Sequence, residues 1–142
     1  MPNRTILLSK ILGVFCTLEA VIFLAARHAM IQWIDAMLAS RPALVVCGAI
    51  VLACGLAIVY FHMEWQGGLA PVLITLIGLA ATCKGMLLIA FPPQQEQALA
   101  LRMGYPNFLS LYMLVDLAIG LYLGYVGFFA ETSAVRSHRM AA

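Results

Sequence analysis

Three ionisable residues stand where a chain seldom puts charge. Glu19, Lys84 and Asp116 each lie well inside an apolar run. At the centre of a membrane-spanning helix such a residue costs about 2.5–3.5 kcal/mol, so each needs a compensating interaction. Two carboxylates and one ammonium suit three kinds of work. They can lock helices together, relay a proton or an ion, or dock a charged residue of a partner. Tyr112, one turn before Asp116, is positioned to donate a hydrogen bond to it.

The elements that must position these residues follow from composition. The 142 residues are 64% hydrophobic and only 10% charged, with a mean hydropathy of +1.00. A soluble domain carries about a quarter charged residues, so lipid is the solvent this composition suits. Four apolar runs, about 6–26, 43–61, 69–91 and 108–130, each approach the roughly 20 residues a spanning helix needs. The predicted fold is therefore all-α, a bundle of four transmembrane helices. Residues 131–142 read as a mobile polar tail. Glu19 argues against taking the first run for a cleaved leader, whose apolar core is normally uncharged. No internal repeat or second domain stands out.

Two connections predict short helices lying in the headgroup layer on one side. Residues 27–41 place Met30, Trp33, Ile34, Met37 and Leu38 on one face, with His28, Gln32 and Asp35 on the other. Trp33 would anchor that helix at the interface. Gln94–Met103 is the second candidate. The tight turn 62–68 makes the second and third spans antiparallel neighbours and carries an interfacial Trp65. His62 and Glu64 in that turn read as solvated.

Depth counting links the three charges. Glu19 and Lys84 each lie seven residues before the end of their runs at Ala26 and Phe91, and Asp116 eight after Phe108. With alternating directions and 1.5 Å per residue, all three fall roughly 10–12 Å inside the same boundary. The expectation is a buried cluster with Lys84 shared between Glu19 and Asp116. Gly120 and Gly124 follow Asp116 at four-residue steps, and with Gly127 they are candidates for close helix packing.

Other chemistry finds little support. Cys16, Cys47, Cys54 and Cys83 all sit in apolar runs and read as unpaired small residues. His28 and His62 belong to opposite membrane faces, which argues against a two-histidine haem. Neither a metal nor a cofactor is expected. A net charge of +2 without a basic cluster argues against nucleic acid. No nucleophile elbow, phosphate loop or zinc motif occurs, so the chain reads more readily as a non-enzyme. Thr75 and Thr82 are expected to bond back to their own helix.

The stretch 61–92, "FHMEWQGGLAPVLITLIGLAATCKGMLLIAFP", resembles the central part of a group of small bacterial four-span membrane proteins without assigned activity. The matching positions are His62, Trp65, Gly67, Pro71, Val72, Thr75, Gly78, Lys84, Gly85, Phe91 and Pro92. Leu79 stands where that pattern has Trp, and Met63 where it has Asn. The resemblance implies a bacterial inner-membrane location and the four-span fold, and transfers no catalytic residue.

Three functions fit. The first is an accessory or assembly subunit of a membrane complex, or a homo-oligomer. The second is a small transporter or proton/ion-conducting module built on the charge cluster. The third is a quinone- or lipid-binding membrane protein. Four spans place both termini on one side, with Arg4, Lys10, Arg136 and Arg139 against Arg27, Arg41 and Arg102 on the other. The positive-inside rule then puts the termini in the cytoplasm. A C-terminal fluorescent fusion should glow and a C-terminal alkaline phosphatase fusion should be inactive; the reverse pair of results would invert the topology.

Overall fold

The computed structural model describes residues 3–62 and 68–140, with side chains described as far as 129. All the regular structure in these residues is helical. The order is α1 (Asn3–Ala25), α2 (Arg27–Ala39), α3 (Arg41–Phe61), α4 (Leu69–Ala90), α5 (Pro93–Arg102) and α6 (Leu109–Met140). Four of them are long and apolar enough to cross a membrane: Arg4–Ala25, Arg41–Phe61, Leu69–Ala90 and Leu109–Phe129. The last helix does not stop at the expected 130 boundary. It runs on to Met140, through the segment expected to be a mobile tail. Ala, Glu and Arg in that segment are good helix formers, and no Gly or Pro interrupts it. Trp65 lies outside the described residues.

Helix boundaries have local causes. Pro42 occupies the first turn of α3 and Pro93 that of α5, where the missing N–H costs no hydrogen bond. Gly68 precedes α4 at φ 116°, a conformation that favours glycine. The Arg41 guanidinium donates to the carbonyls of Ile89, at 2.6 Å, and Phe91. It thereby satisfies two carbonyls at the C-terminal end of α4, where intrahelical donors run out.

The four long helices form two tight antiparallel pairs, α1 with α6 and α3 with α4, and the pairs touch each other only thinly through α1 and α4. Glycine makes each seam tight. A Cβ on Gly120 would stand 2.7 Å from the Thr17 backbone nitrogen, and one on Gly55 2.5 Å from that of Thr82. Gly13 meets the Gly124 backbone, its would-be Cβ 2.6 Å from that Cα, while Gly127 lies against Lys10 and Gly85 against Leu52. Such contacts let two backbones approach closely and gain dispersion along their length. Each facing threonine turns its hydroxyl back on its own helix. Thr17 Oγ1 donates to Gly13 O at 2.7 Å and Thr82 Oγ1 to Gly78 O at 2.8 Å. The hydroxyl is thus satisfied within its own helix.

Two apolar clusters sit at opposite ends. At the end where the chain starts, Leu12, Ala70, Ile74 and Leu123 are buried, with Leu8, Leu73 and Ile77 packed beside them. At the other end Leu38 of α2 packs with Leu44 and Leu88, flanked by Ile34, Met37 and Ala100. The short helices α2 and α5 touch each other at this second end. Leu38 of the expected apolar face of α2 is buried, whereas Trp33 is 57% exposed.

The seams predict an asymmetry among the glycines. Gly13→Ala and Gly55→Ala should each lower the melting temperature in detergent, because a methyl would drive into facing backbone; overpacking costs about 1–3 kcal/mol. Gly124→Ala should be neutral or stabilising by up to about 1 kcal/mol, since its Cβ would enter open space. Equal losses at all three positions would contradict the seam geometry.

Candidate functional site

Each mid-span charge sits between the two apolar clusters. Glu19 is six residues before the end of α1, Lys84 six before the end of α4, and Asp116 seven after the start of α6. The three therefore share a level on the observed helices. Glu19 shares a face with Leu8 and Leu12, at steps of eleven and seven residues. Those leucines line the contact with α4. Lys84 stands in the same relation to Leu73 and Ile77. The Glu19 carboxylate lies within electrostatic reach of both Asp116 and Lys84.

The cluster is not the closed one the sequence suggested. Glu19 and Asp116 are half-buried, but Lys84 is exposed. Its ammonium acts on Glu19 as a charge through space and not as a hydrogen-bond donor. The reason lies in the helix pairing. The two tight pairs meet only narrowly, so nothing clamps the lysine between the acids.

Tyr112 also departs from expectation. Its hydroxyl donates to the Met103 carbonyl at 2.6 Å, at the C-terminal end of α5, and not to Asp116. Tyr112 lies near the start of α6, so its long side chain reaches the unpaired carbonyls of the preceding short helix. The residue that neighbours Asp116 across the α1–α6 seam is Cys16. The sequence placed Cys16 among core fillers. Its signal was available in the four-residue step from Gly120 to Asp116, since Gly120 packs on Cys16 and Thr17.

Of the packing glycines, Gly120 and Gly127 press their own Cα faces on α1, whereas Gly124 contributes its backbone to Gly13. The four cysteines are free. Thr75 bonds back to Pro71 O at 3.0 Å and also reaches His62 O at 3.1 Å. His62 itself is not solvated. It caps α3 with 1% exposure, and neither ring nitrogen has a partner. Glu64, expected beside it, lies outside the described residues. Among the described residues no group of His, Cys, Asp and Glu could hold a metal ion.

A second polar feature lies at the other end, between the short helices. The Tyr105 hydroxyl donates to Asp35 Oδ1 at 2.9 Å and lies 3.1 Å from Ile31 O, which ties the segment after α5 to α2. Together with Leu38, Gln97, Ala100 and Leu101, these two residues line a cavity of about 240 Å³. Nearby, Glu96 is 7% exposed and its Oε1 has no partner.

No family model, curated protein or solved structure matches this chain.

The Tyr105 bridge carries a pH dependence. Burial, then the hydrogen bond and negative charge of Asp35, push the phenol from 10 up to about 12. A raised acid pKa means that folding favours the neutral phenol. The stabilisation is complete below pH 10 and disappears as pH rises through about 12. Ultraviolet titration should show one tyrosine ionising late, and Tyr105→Phe should remove that component while leaving the others.

Proposed function

We propose that this is a small multi-pass protein of the bacterial cytoplasmic membrane, with cytoplasmic termini, that handles a proton or a monovalent cation at its mid-span charge cluster. The observation that carries this reading is the convergence of Glu19 and Asp116 at one level, with Lys84 left exposed. A purely structural lock is best served by an ammonium enclosed between its acids. An open arrangement leaves two carboxylates with one exposed cation, about net −1 when all three are ionised. Two carboxylates at one level of a low-dielectric environment call for a proton or a counter-ion. The cost of burying them is then the cost of keeping an ion site.

The accessory-subunit or homo-oligomer reading rests on a different observation. The outer face of α1 presents Leu7, Ile11, Leu18 and Ile22 as one exposed apolar stripe. Lipid covers such a stripe, and so does a neighbouring helix. Purification after gentle solubilisation tests it, because a constitutive partner would appear in fixed stoichiometry.

Proteoliposomes decide on the ion reading. The protein should dissipate an imposed proton or sodium gradient, read with a trapped pH- or sodium-sensitive dye. The double variant E19Q/D116N should reduce the rate at least tenfold while keeping the melting temperature within a few degrees. Wild-type vesicles as tight as empty ones would overturn the proposal.

A further inference from the structure

We infer that the chain is a tandem duplication of one three-helix unit, α1–α2–α3 and α4–α5–α6, and that Asp116 is the ion-exchanging carboxylate because it is the mid-span charge that one copy alone carries. The second half of this inference rests on the ion-handling reading; the first half does not.

A single offset of 65 residues relates the two halves. It takes Gly13-x-x-x-Thr17 to Gly78-x-x-x-Thr82. It also takes Leu52-Ala53-x-Gly55-Leu56-x-x-x-Tyr60 to Leu117-Ala118-x-Gly120-Leu121-x-x-x-Tyr125, with no gap. It brings the end of α1 at Ala25 onto the end of α4 at Ala90, and α2 onto α5. Burial follows the same offset: Thr5 and Ala70, Ser9 and Ile74, Ala20 and Gly85, and Leu44 and Leu109 are all buried.

The seam contacts repeat as well. Gly120 against Thr17 becomes Gly55 against Thr82, down to the Thr Oγ1, 2.8 Å in one seam and 2.7 Å in the other from the would-be Cβ. The Thr17 back-bond to Gly13 becomes the Thr82 back-bond to Gly78. Gly127 against Lys10 becomes His62 against Thr75. A relation that exchanges α1 with α4 and α3 with α6 turns each tight seam into the other. It also turns the α1–α4 and α2–α5 contacts into themselves. That is a twofold axis running between α1 and α4, the arrangement of parallel repeats in membrane proteins.

The axis sorts the charge cluster. The offset takes Glu19 to Lys84, so they are one position in two copies and face each other across the axis, beside the mated pairs Leu8 with Leu73 and Leu12 with Ile77. Between them they carry no net charge. Asp116 has Val51 as its counterpart, and its neighbour Cys16 has Ala81. The acid and its thiol partner were added to one copy, and the acid supplies the uncompensated negative charge. The groups facing Asp116 are Cys16 and Glu19 of α1, with Lys84 of α4 beyond Glu19. The carboxylate takes up the ion.

The test separates the two halves of the inference. Melting temperature in detergent judges the duplication. E19K and K84E should each lower it by placing like charges across the axis. The exchange E19K/K84E should restore most of the loss, because equivalent positions accept each other's side chain. An exchange no better than either single change would overturn the duplication. Flux in proteoliposomes judges Asp116. D116N should fall at least tenfold with an unchanged melting temperature, and D116V/V51D, which moves the acid to the sister position, should recover flux above D116V. Full flux in D116N overturns the assignment. Absence of flux in the wild type overturns it together with the ion reading, and leaves the melting data to judge the duplication alone.

Discussion

Close backbone contact at glycine is the constraint on which the rest of this structure depends. In lipid, apolar side chains gain little by leaving one hydrocarbon surface for another. What holds two helices together is then dispersion at short range, together with satisfied polar groups. Gly13, Gly120 and Gly127 provide that range on one side, and Gly48, Gly55 and Gly85 on the other. Thr17 and Thr82 complete the seams by bonding to their own helices. Everything else is arranged around two rigid pairs that meet each other over a small area.

That arrangement explains why the charges stand where they do. A four-helix bundle with equal contacts on all sides would enclose a mid-span lysine. Two tight pairs with a narrow junction leave it exposed, with Glu19 and Asp116 half-buried behind it. The apolar cluster at the end of the molecule where the chain starts and the short helices at the other end bound this level from both sides. The ends of α2 and α5 are joined by Tyr105 and Asp35, and α4 is held at its end by Arg41. The charged level thus lies at the narrow junction between two tightly seamed pairs.

Much of this was legible in the residues. The four spans, the two short helices and the common depth of Glu19, Lys84 and Asp116 follow from run length, turn residues and helical rise. The pairing of helices did not follow. Apolar runs are nearly uniform in hydropathy, so they carry no phase telling which face meets which neighbour. Tyr112 was assigned to Asp116 because one helical turn separates them, yet the open carbonyl of Met103 across the α5–α6 connection is the nearer acceptor. His62 looked solvated because its neighbours in sequence are polar, while its actual neighbour is Thr75 of the next helix. The duplication was hidden for a related reason. Ile, Leu, Val and Ala replace one another freely on apolar faces, so the identities between the copies are scattered and include the Gly and Thr positions where backbones touch.

The two seams differ in one respect that their geometry conceals, which is when each can close. α3 and α4 are neighbours in the chain, and they emerge from synthesis one after the other. The partner of α1 is α6, four helices further along the chain than α2. Until α6 is made, Gly13 and Thr17 have no opposing helix. During that interval Glu19 is without Asp116, and until α4 is made it is without Lys84 as well. The N-terminal helix is therefore the part of this protein most exposed to capture by a chaperone, an insertase or a wrong neighbour. Truncation within α6 would leave α1 waiting permanently, while the α3–α4 hairpin would already be closed.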